Sequence, residues 1–194
     1  MPPLLFVTGF GAFESVERNP SAEIAQALGS DPPAGVEIHA TILPVTFRGC
    51  GAAADRALAA LAPRVPDVLL SLGVHPGSAF RLERRARARP KPGRPDSDGE
   101  TADTLGPADG TELESPLDPE PLADALRAAG AAEVVVSSDA GGYVCERIYH
   151  HMLAAGARLG IPALFLHVPP LAAVELPEQV RVVRALVSEL ARRA

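Results

Sequence analysis

The chain has 194 residues, the size of one ordinary domain, so one hydrophobic core is expected. Hydrophobic residues make up 47% and charged residues 22%, with a formal net charge of −6, which describes a globular chain and excludes wholesale disorder. No apolar run approaches the roughly 18 residues of a membrane span, and the acidic balance excludes a general nucleic-acid binder.

Leu4 to Thr8 is a short apolar run that stops at Gly9, the pattern of a buried strand entering the loop Gly-Phe-Gly-Ala-Phe. Asn19-Pro20-Ser21 then precedes Ala22 to Leu28, where Ile24, Ala25 and Leu28 recur at helical spacing with Ser21 or Asn19 as cap. Val36 to Leu43 alternates as a half-buried strand and ends at Pro44, and a helix from about Gly51 to Leu61 follows. Val68 to Leu72 is another buried strand, closed by Gly73 and the turn cluster His75-Pro76-Gly77-Ser78. From Arg81 to Arg94 seven basic residues accompany one acid, Glu83. At strand period this stretch has an apolar face of Phe80, Leu82, Ala86 and Ala88 and a charged face of Arg81, Glu83, Arg85, Arg87 and Arg89, so an edge strand with antiparallel pairing is expected. Residues 91 to 118, rich in Pro, Gly and Asp, predict a surface loop or flap. Leu122 to Ala129 is a short helix ended by Gly130, and Glu133 to Ser137 a further buried strand. Tyr143 to Gly156 is helical in pattern, Ala163 to Val168 is a last apolar strand, and Glu175 to Arg193 is an amphipathic helix. Strands alternating with helices predict a single-domain three-layer α/β/α sandwich with a mainly parallel, mixed sheet.

In open α/β sheets ligands bind beyond the carboxyl ends of the strands. Read that way, Phe10 and Phe13, Gly73 and Val74, Cys145, and His167 are expected to share one rim. A thiol beside an imidazole makes a nucleophile, because an imidazolium or a helix N-terminus lowers the thiol pKa toward a thiolate at neutral pH. A third group, carboxylate or amide, orients the imidazole, and Glu83 is the candidate. The residues alone leave open the plainer alternatives of a structural thiol, a core histidine and a solvated charge ladder. Gly9-Phe10-Gly11 lacks the remaining glycine of a dinucleotide fingerprint, since Glu14 stands there. Adjacent His150 and His151 point about 100° apart on a helix and make no zinc site with Cys145. The start, Met1 to Gly11, lacks a basic n-region, and two cysteines make no disulfide framework, so a cytoplasmic location is expected.

Thr8-Gly9-Phe10-Gly11-Ala12-Phe13, Asn19-Pro20-Ser21, Leu43-Pro44-Val45, Glu83-Arg84, Ser138-Asp139-Ala140-Gly141-Gly142-Tyr143-Val144-Cys145 and Phe165-Leu166-His167-Val168-Pro169 occur in order along the chain. This set resembles the pyroglutamyl peptidase I family of cysteine peptidases. The resemblance implies removal of N-terminal pyroglutamate (5-oxoproline) from peptides, with Cys145 as nucleophile, His167 as general base and acid, and Glu83 as orienting carboxylate. It also implies that Phe10 and Phe13 hold the lactam ring, that Gly73, Val74, Tyr143 and Val144 line its site, and that Arg94 is the candidate to meet the oxyanion. No metal or organic cofactor is implied, and a homo-oligomer, a tetramer, is expected. Two departures stand out, the altered segment Val74 to Ser78 and Glu146 after the nucleophile, whose charge should raise the thiol pKa. They motivate an alternative, a relative that binds lactams with little or no turnover.

Overall fold

The computed structural model describes residues 1–14, 16–105 and 111–194; part of the expected loop, 106–110, lies outside the described residues. Its six-stranded sheet has the order β2-β1-β3-β8-β4-β7, where β1 is Leu4–Phe10, β2 Glu37–Leu43, β3 Val68–Val74, β4 Phe80–Glu83, β7 Val134–Ser137 and β8 Ala163–Val168. β5 (Arg85–Ala86) and β6 (Leu113–Glu114) form a small antiparallel pair. The five helices are α1 (Pro20–Ser30), α2 (Gly49–Ala59), α3 (Pro119–Ala128), α4 (Val144–Leu159) and α5 (Leu176–Ala191). The result is the single-domain, mixed three-layer α/β fold that the pattern predicts. No helix among the described residues is long and apolar enough to cross a membrane.

Side chains alternate across a strand, and the sheet therefore has two cores. Leu5, Val7, Leu70, Leu72, Leu164 and Leu166 pack under α1, α3 and α5. Phe6, Leu69 and Phe165 pack under α2 and α4 with Cys50, Ile148, Tyr149 and Met152. Truncating a fully buried Leu such as Leu166 to Ala should cost about 2–5 kcal/mol. The α1 N-terminus is fixed by Asn19, whose Oδ1 accepts from the Ser21 N–H at 3.1 Å and whose Nδ2 donates to the Gly11 carbonyl at 3.0 Å. Gly9 permits this docking, since a Cβ there would lie 2.2 Å from the Ser21 carbonyl oxygen. One capping residue thus ties the helix to the Phe10–Phe13 loop.

Strand direction departs from expectation in two places. β4 pairs antiparallel with β8, as expected of the Arg-rich stretch, but it lies inside the sheet and β7 takes the edge. The stretch is also short, because the regular strand ends at Glu83. Only residues 75–79 separate β3 from β4, and a parallel return needs a crossover of a dozen or more residues, so the chain must reverse. β7 then follows through α3 and lies parallel to β4. Its carboxyl end consequently points away from the rim formed by β1, β3 and β8, so the expectation of four strand ends at one rim is corrected. Residues 138–143 carry the chain to the start of α4, which packs on β3 and β8.

Candidate active site

Antiparallel pairing sets Arg81 opposite His167 and Glu83 opposite Phe165, so all four side chains share the face covered by α4. Glu83 is fully buried, and its Oε1 lies 2.8 Å from His167 Nδ1. An acceptor-only carboxylate there assigns the proton to Nδ1 and leaves Nε2 as the free nitrogen. The imidazole is held between Phe165, at 4.7 Å between ring centroids, and His75, at 5.7 Å. Tyr149 of α4 also holds β4, donating its hydroxyl to the Glu83 backbone carbonyl at 2.6 Å. The charged face of β4 is therefore a buried network rather than a solvated ladder.

Cys145 is the second residue of α4, whose N-cap, Tyr143, supplies no side-chain hydrogen bond. Backbone N–H groups in a helix's first turn have no intrahelical acceptor, so the turn around Cys145 presents donors. The thiol lies over Gly73, which pairs with His167 across β3 and β8. A Cβ on Gly73 would sit 2.9 Å from Cys145 Sγ and 2.8 Å from Phe165 Cζ, so glycine is required here by close approach. Cys145 and His167 line one cavity of about 270 Å³ with Phe10, Phe13, Val74 and Tyr143. Val144 and Arg94 line it too. Of the residues expected at the site, Gly73 and Glu83 do not line this pocket; Gly73 lies behind Cys145 and Glu83 behind His167.

The electrostatics bear on the thiol and on the departure at Glu146. Burial pushes the Cys145 thiol up to about 12, reinforced by Cys50, Glu83 and Glu146 and opposed by Arg94. Burial thus raises the thiol, opposite to the lowering expected from the helix terminus and imidazole alone. Glu146 acts in the expected direction, but its carboxylate is buried and engaged. Oε1 accepts from the Arg87 backbone N–H at 2.7 Å, and Oε2 accepts from the Gly142 N–H at 3.0 Å and from the Arg87 guanidinium at 3.1 Å. It clamps the turn before the nucleophile. Arg94 stacks over the Tyr143 ring with its guanidinium carbon 4.1 Å from the centroid, and it pairs with Glu14 at 2.9 Å. The loop carrying Arg94 is held by Asp96, whose carboxylate accepts from the backbone N–H of Phe47 at 2.6 Å and of Glu100 at 3.0 Å. Among the described residues no group of three or more His, Cys, Asp and Glu is placed to hold a metal ion.

The pyroglutamyl peptidase family model matches residues 4–189. This chain belongs to the pyroglutamyl peptidase family. It is 34% identical to a pyrrolidone-carboxylate peptidase of Deinococcus radiodurans over 190 residues, covering 90% of this chain and 81% of that one. It is 33% identical over 181 residues to pyrrolidone-carboxylate peptidase 1 of Ralstonia nicotianae, covering 88% and 80%. The crystal structure of a pyrrolidone carboxyl peptidase from Fervidobacterium islandicum superposes with a TM-score of 0.85 at 25% identity, covering 98% of this chain and 99% of that one. Pyroglutamyl peptidase I of Bacillus amyloliquefaciens shares the fold with the same TM-score, over 98% of this chain and 97% of that one, at 21% identity.

Three residues in or beside this pocket were not among the residues expected from the sequence. His75 lines the pocket; burial, then Arg81 and His167, lower its pKa, with Glu83 opposing. It directly follows β3, so the rule that singled out Gly73 and Val74 reaches it one residue later. Asn19 reaches the pocket from the α1 cap. Arg81 contacts Glu83, and nothing in an alternating charge pattern distinguishes such a pair from exposed charges.

Proposed function

We propose that this chain is a cysteine exopeptidase that removes N-terminal pyroglutamate from peptides, with Cys145 as nucleophile, His167 as general base and acid, and Glu83 as the orienting carboxylate. The observation that carries the reading is the buried Glu83–His167 hydrogen bond of 2.8 Å, with His167 and the Cys145 thiol at a helix N-terminus lining one small pocket. At about 270 Å³ the pocket is at or below the lower end of ligand sites, which run from roughly 300 to 1,000 Å³. It suits a compact ring better than a length of peptide. Phe10 and Phe13 offer apolar faces to the flat lactam, and a free α-amine would bring an uncompensated charge into the same slot.

His167 Nε2 takes the Cys145 proton as sulfur attacks the pyroglutamyl carbonyl, and Glu83 stabilises the imidazolium. The thiol's raised pKa makes this transfer part of the reaction rather than a resting property. The oxyanion meets the uncapped N–H groups at the start of α4, with Arg94 as the nearby cation. His167 returns the proton to the leaving amine, giving a thioester and the shortened peptide. Water, deprotonated by His167, then attacks the thioester and releases pyroglutamate and the thiol. The lactam-binding alternative without turnover is not favoured, because Glu146 is engaged by Arg87 and Gly142 and His167 keeps its carboxylate partner. By the same resemblance we place the enzyme in the cytoplasm as a homo-oligomer, a tetramer, which light scattering checks.

Release of a fluorogenic amine from its pyroglutamyl amide under reducing conditions tests the reading, run beside the prolyl amide and the Cys145→Ser variant. Turnover of the lactam alone, and only with Cys145, is the expected result. Equal turnover of the prolyl amide would remove the lactam slot, and turnover by Cys145→Ser would remove the nucleophile.

A further inference from the structure

Glu83 is a carboxyl side chain with no exposed surface, and its Oε2 has no hydrogen-bond partner among the described residues. A buried carboxylate in that state takes up a proton unless a cation stands by it. The cation is Arg81. Its Nε lies 3.4 Å from Glu83 Oε1, and its Nη2 donates to Ser137 Oγ at 2.8 Å. Ser137 in turn closes the turn after β7, with Oγ accepting from the Asp139 N–H at 3.1 Å. That turn leads through Gly141 and Gly142 to Cys145. A single guanidinium therefore touches the carboxylate that orients the imidazole and the segment that delivers the thiol.

We propose that Arg81 is a positioning residue of this site, keeping Glu83 ionised and aimed at His167 and holding, through Ser137, the turn that carries the chain to Cys145. The inference rests on the peptidase reading above. Other groups also face the Glu83–His167 pair. His75 packs edge-on to the His167 ring, Cys145 and Tyr149 approach from α4, and Ser137 approaches from β7. Glu146 and Arg94 act on the same pocket through Cys145, and Glu114 of β6 reaches Tyr149. Of the cations, only Arg81 contacts the pair through a hydrogen bond among those described.

A coupled Glu–His pair takes up its proton as a unit. Loss of the neighbouring positive charge makes that uptake easier whichever of the two groups receives it. The acid limb of kcat/KM should therefore move to higher pH when Arg81 is neutralised.

Two substitutions separate charge from shape. Arg81→Gln keeps N–H donors and removes the charge. Arg81→Lys keeps the charge and loses the fork that spans Glu83 and Ser137. Turnover of the fluorogenic pyroglutamyl amide is measured from pH 5 to pH 9 for both, with thermal unfolding alongside. The Gln variant should move the acid limb up by about one pH unit or more. The Lys variant should leave the limb in place and lower kcat several-fold with KM unchanged. Ser137→Ala, a small change that leaves the guanidinium beside Glu83, should also lower kcat without moving the limb, and it decides the matter if neither Arg81 variant folds. A Gln profile that overlays the wild type after scaling overturns the proposal, as does a Lys limb displaced as far as that of Gln, or a Ser137→Ala variant with wild-type kcat. A wild type silent at every pH would instead contradict the peptidase reading itself.

Discussion

The two halves of the sheet contribute to the site in different ways. β1, β3 and β8 run parallel and end at one rim, where they supply the apolar slot and the imidazole: Phe10 and Phe13, Gly73 and Val74, and His167. β4 and β7 run the other way and supply the buried charge and the route to the nucleophile: Arg81 and Glu83 on β4, Ser137 and the turn to Cys145 on β7. A carboxylate reaches the imidazole on β8 because a reversed neighbour brings Glu83 alongside Phe165, two residues before His167. Reversal at that strand is thus what allows one sheet face to hold both members of the acid–base pair.

The largest effects should come from the residues where the halves meet. Cys145→Ala should lower kcat/KM on the pyroglutamyl amide on the order of a thousandfold or more with unfolding temperature little changed; near wild-type turnover would break the comparison outright. Glu83→Gln should cost on the order of a hundredfold or more, because an amide can offer a donor to Nδ1 and reverse the imidazole tautomer. Its check is kinetics beside an NMR assignment of which His167 nitrogen bears the proton, which should switch.

The parallel half is probed at Gly73. The added methyl of Gly73→Ala meets Phe165 and Cys145 Sγ at under 3.0 Å. It should cost about 1–3 kcal/mol of stability and at least tenfold in kcat/KM by displacing the thiol. Denaturant titration and kinetics would check both, and a neutral outcome would show that the two halves are less tightly apposed.

Charge state offers a subtler probe. A thiol pushed up to about 12 by burial is protonated at neutral pH, and its thiolate fraction grows about tenfold per pH unit below that value. Alkylation of Cys145 by iodoacetamide should therefore keep rising from pH 7 to pH 9. A plateau below pH 8 would reveal a preformed thiolate–imidazolium pair. Cys50, equally raised and fully buried, should react more slowly throughout.

The smallest effect belongs to the turn itself. The Asp139 carboxyl is held below its ordinary value chiefly by the Arg87 guanidinium. A depressed folded-state pKa contributes stability above the ordinary carboxylate value, near 3.8, and loses it as pH falls through the folded value. Since Asp139 is half exposed, Asp139→Asn should cost less than about 1 kcal/mol at pH 7. Acid unfolding curves of the two proteins should converge below pH 3, and curves that stay parallel would contradict the assignment.

Much of the parallel half was legible in the sequence. The runs at Leu4, Val68 and Ala163 are apolar but for Thr8, Ser71 and His167, because helices cover both faces of those strands, and the Asn19 cap announces α1. The reversed half was harder to read. Alternation at Phe80 to Glu83 indicates a strand but carries neither its direction nor its partner, and a part-buried Arg81–Glu83 pair has the pattern of an exposed one. The usable signal was length, since five residues between β3 and β4 cannot make a parallel crossover. The strand-end rule places Cys145 and His167 at one rim for a reason the structure does not keep, since β7 ends away from it. Their proximity arises from the path of residues 138–143 and the packing of α4, and the family motifs point to it independently.

The most direct test of the account is to trap the acyl-enzyme. The protein is acid-quenched during turnover of a pyroglutamyl amide, digested and analysed by mass spectrometry. The account predicts a pyroglutamyl group on the peptide containing Cys145, more abundant in an Arg81→Lys protein if that variant slows deacylation, and absent from Cys145→Ser. A pyroglutamyl group on any other residue, or continued turnover by Cys145→Ser, would contradict it.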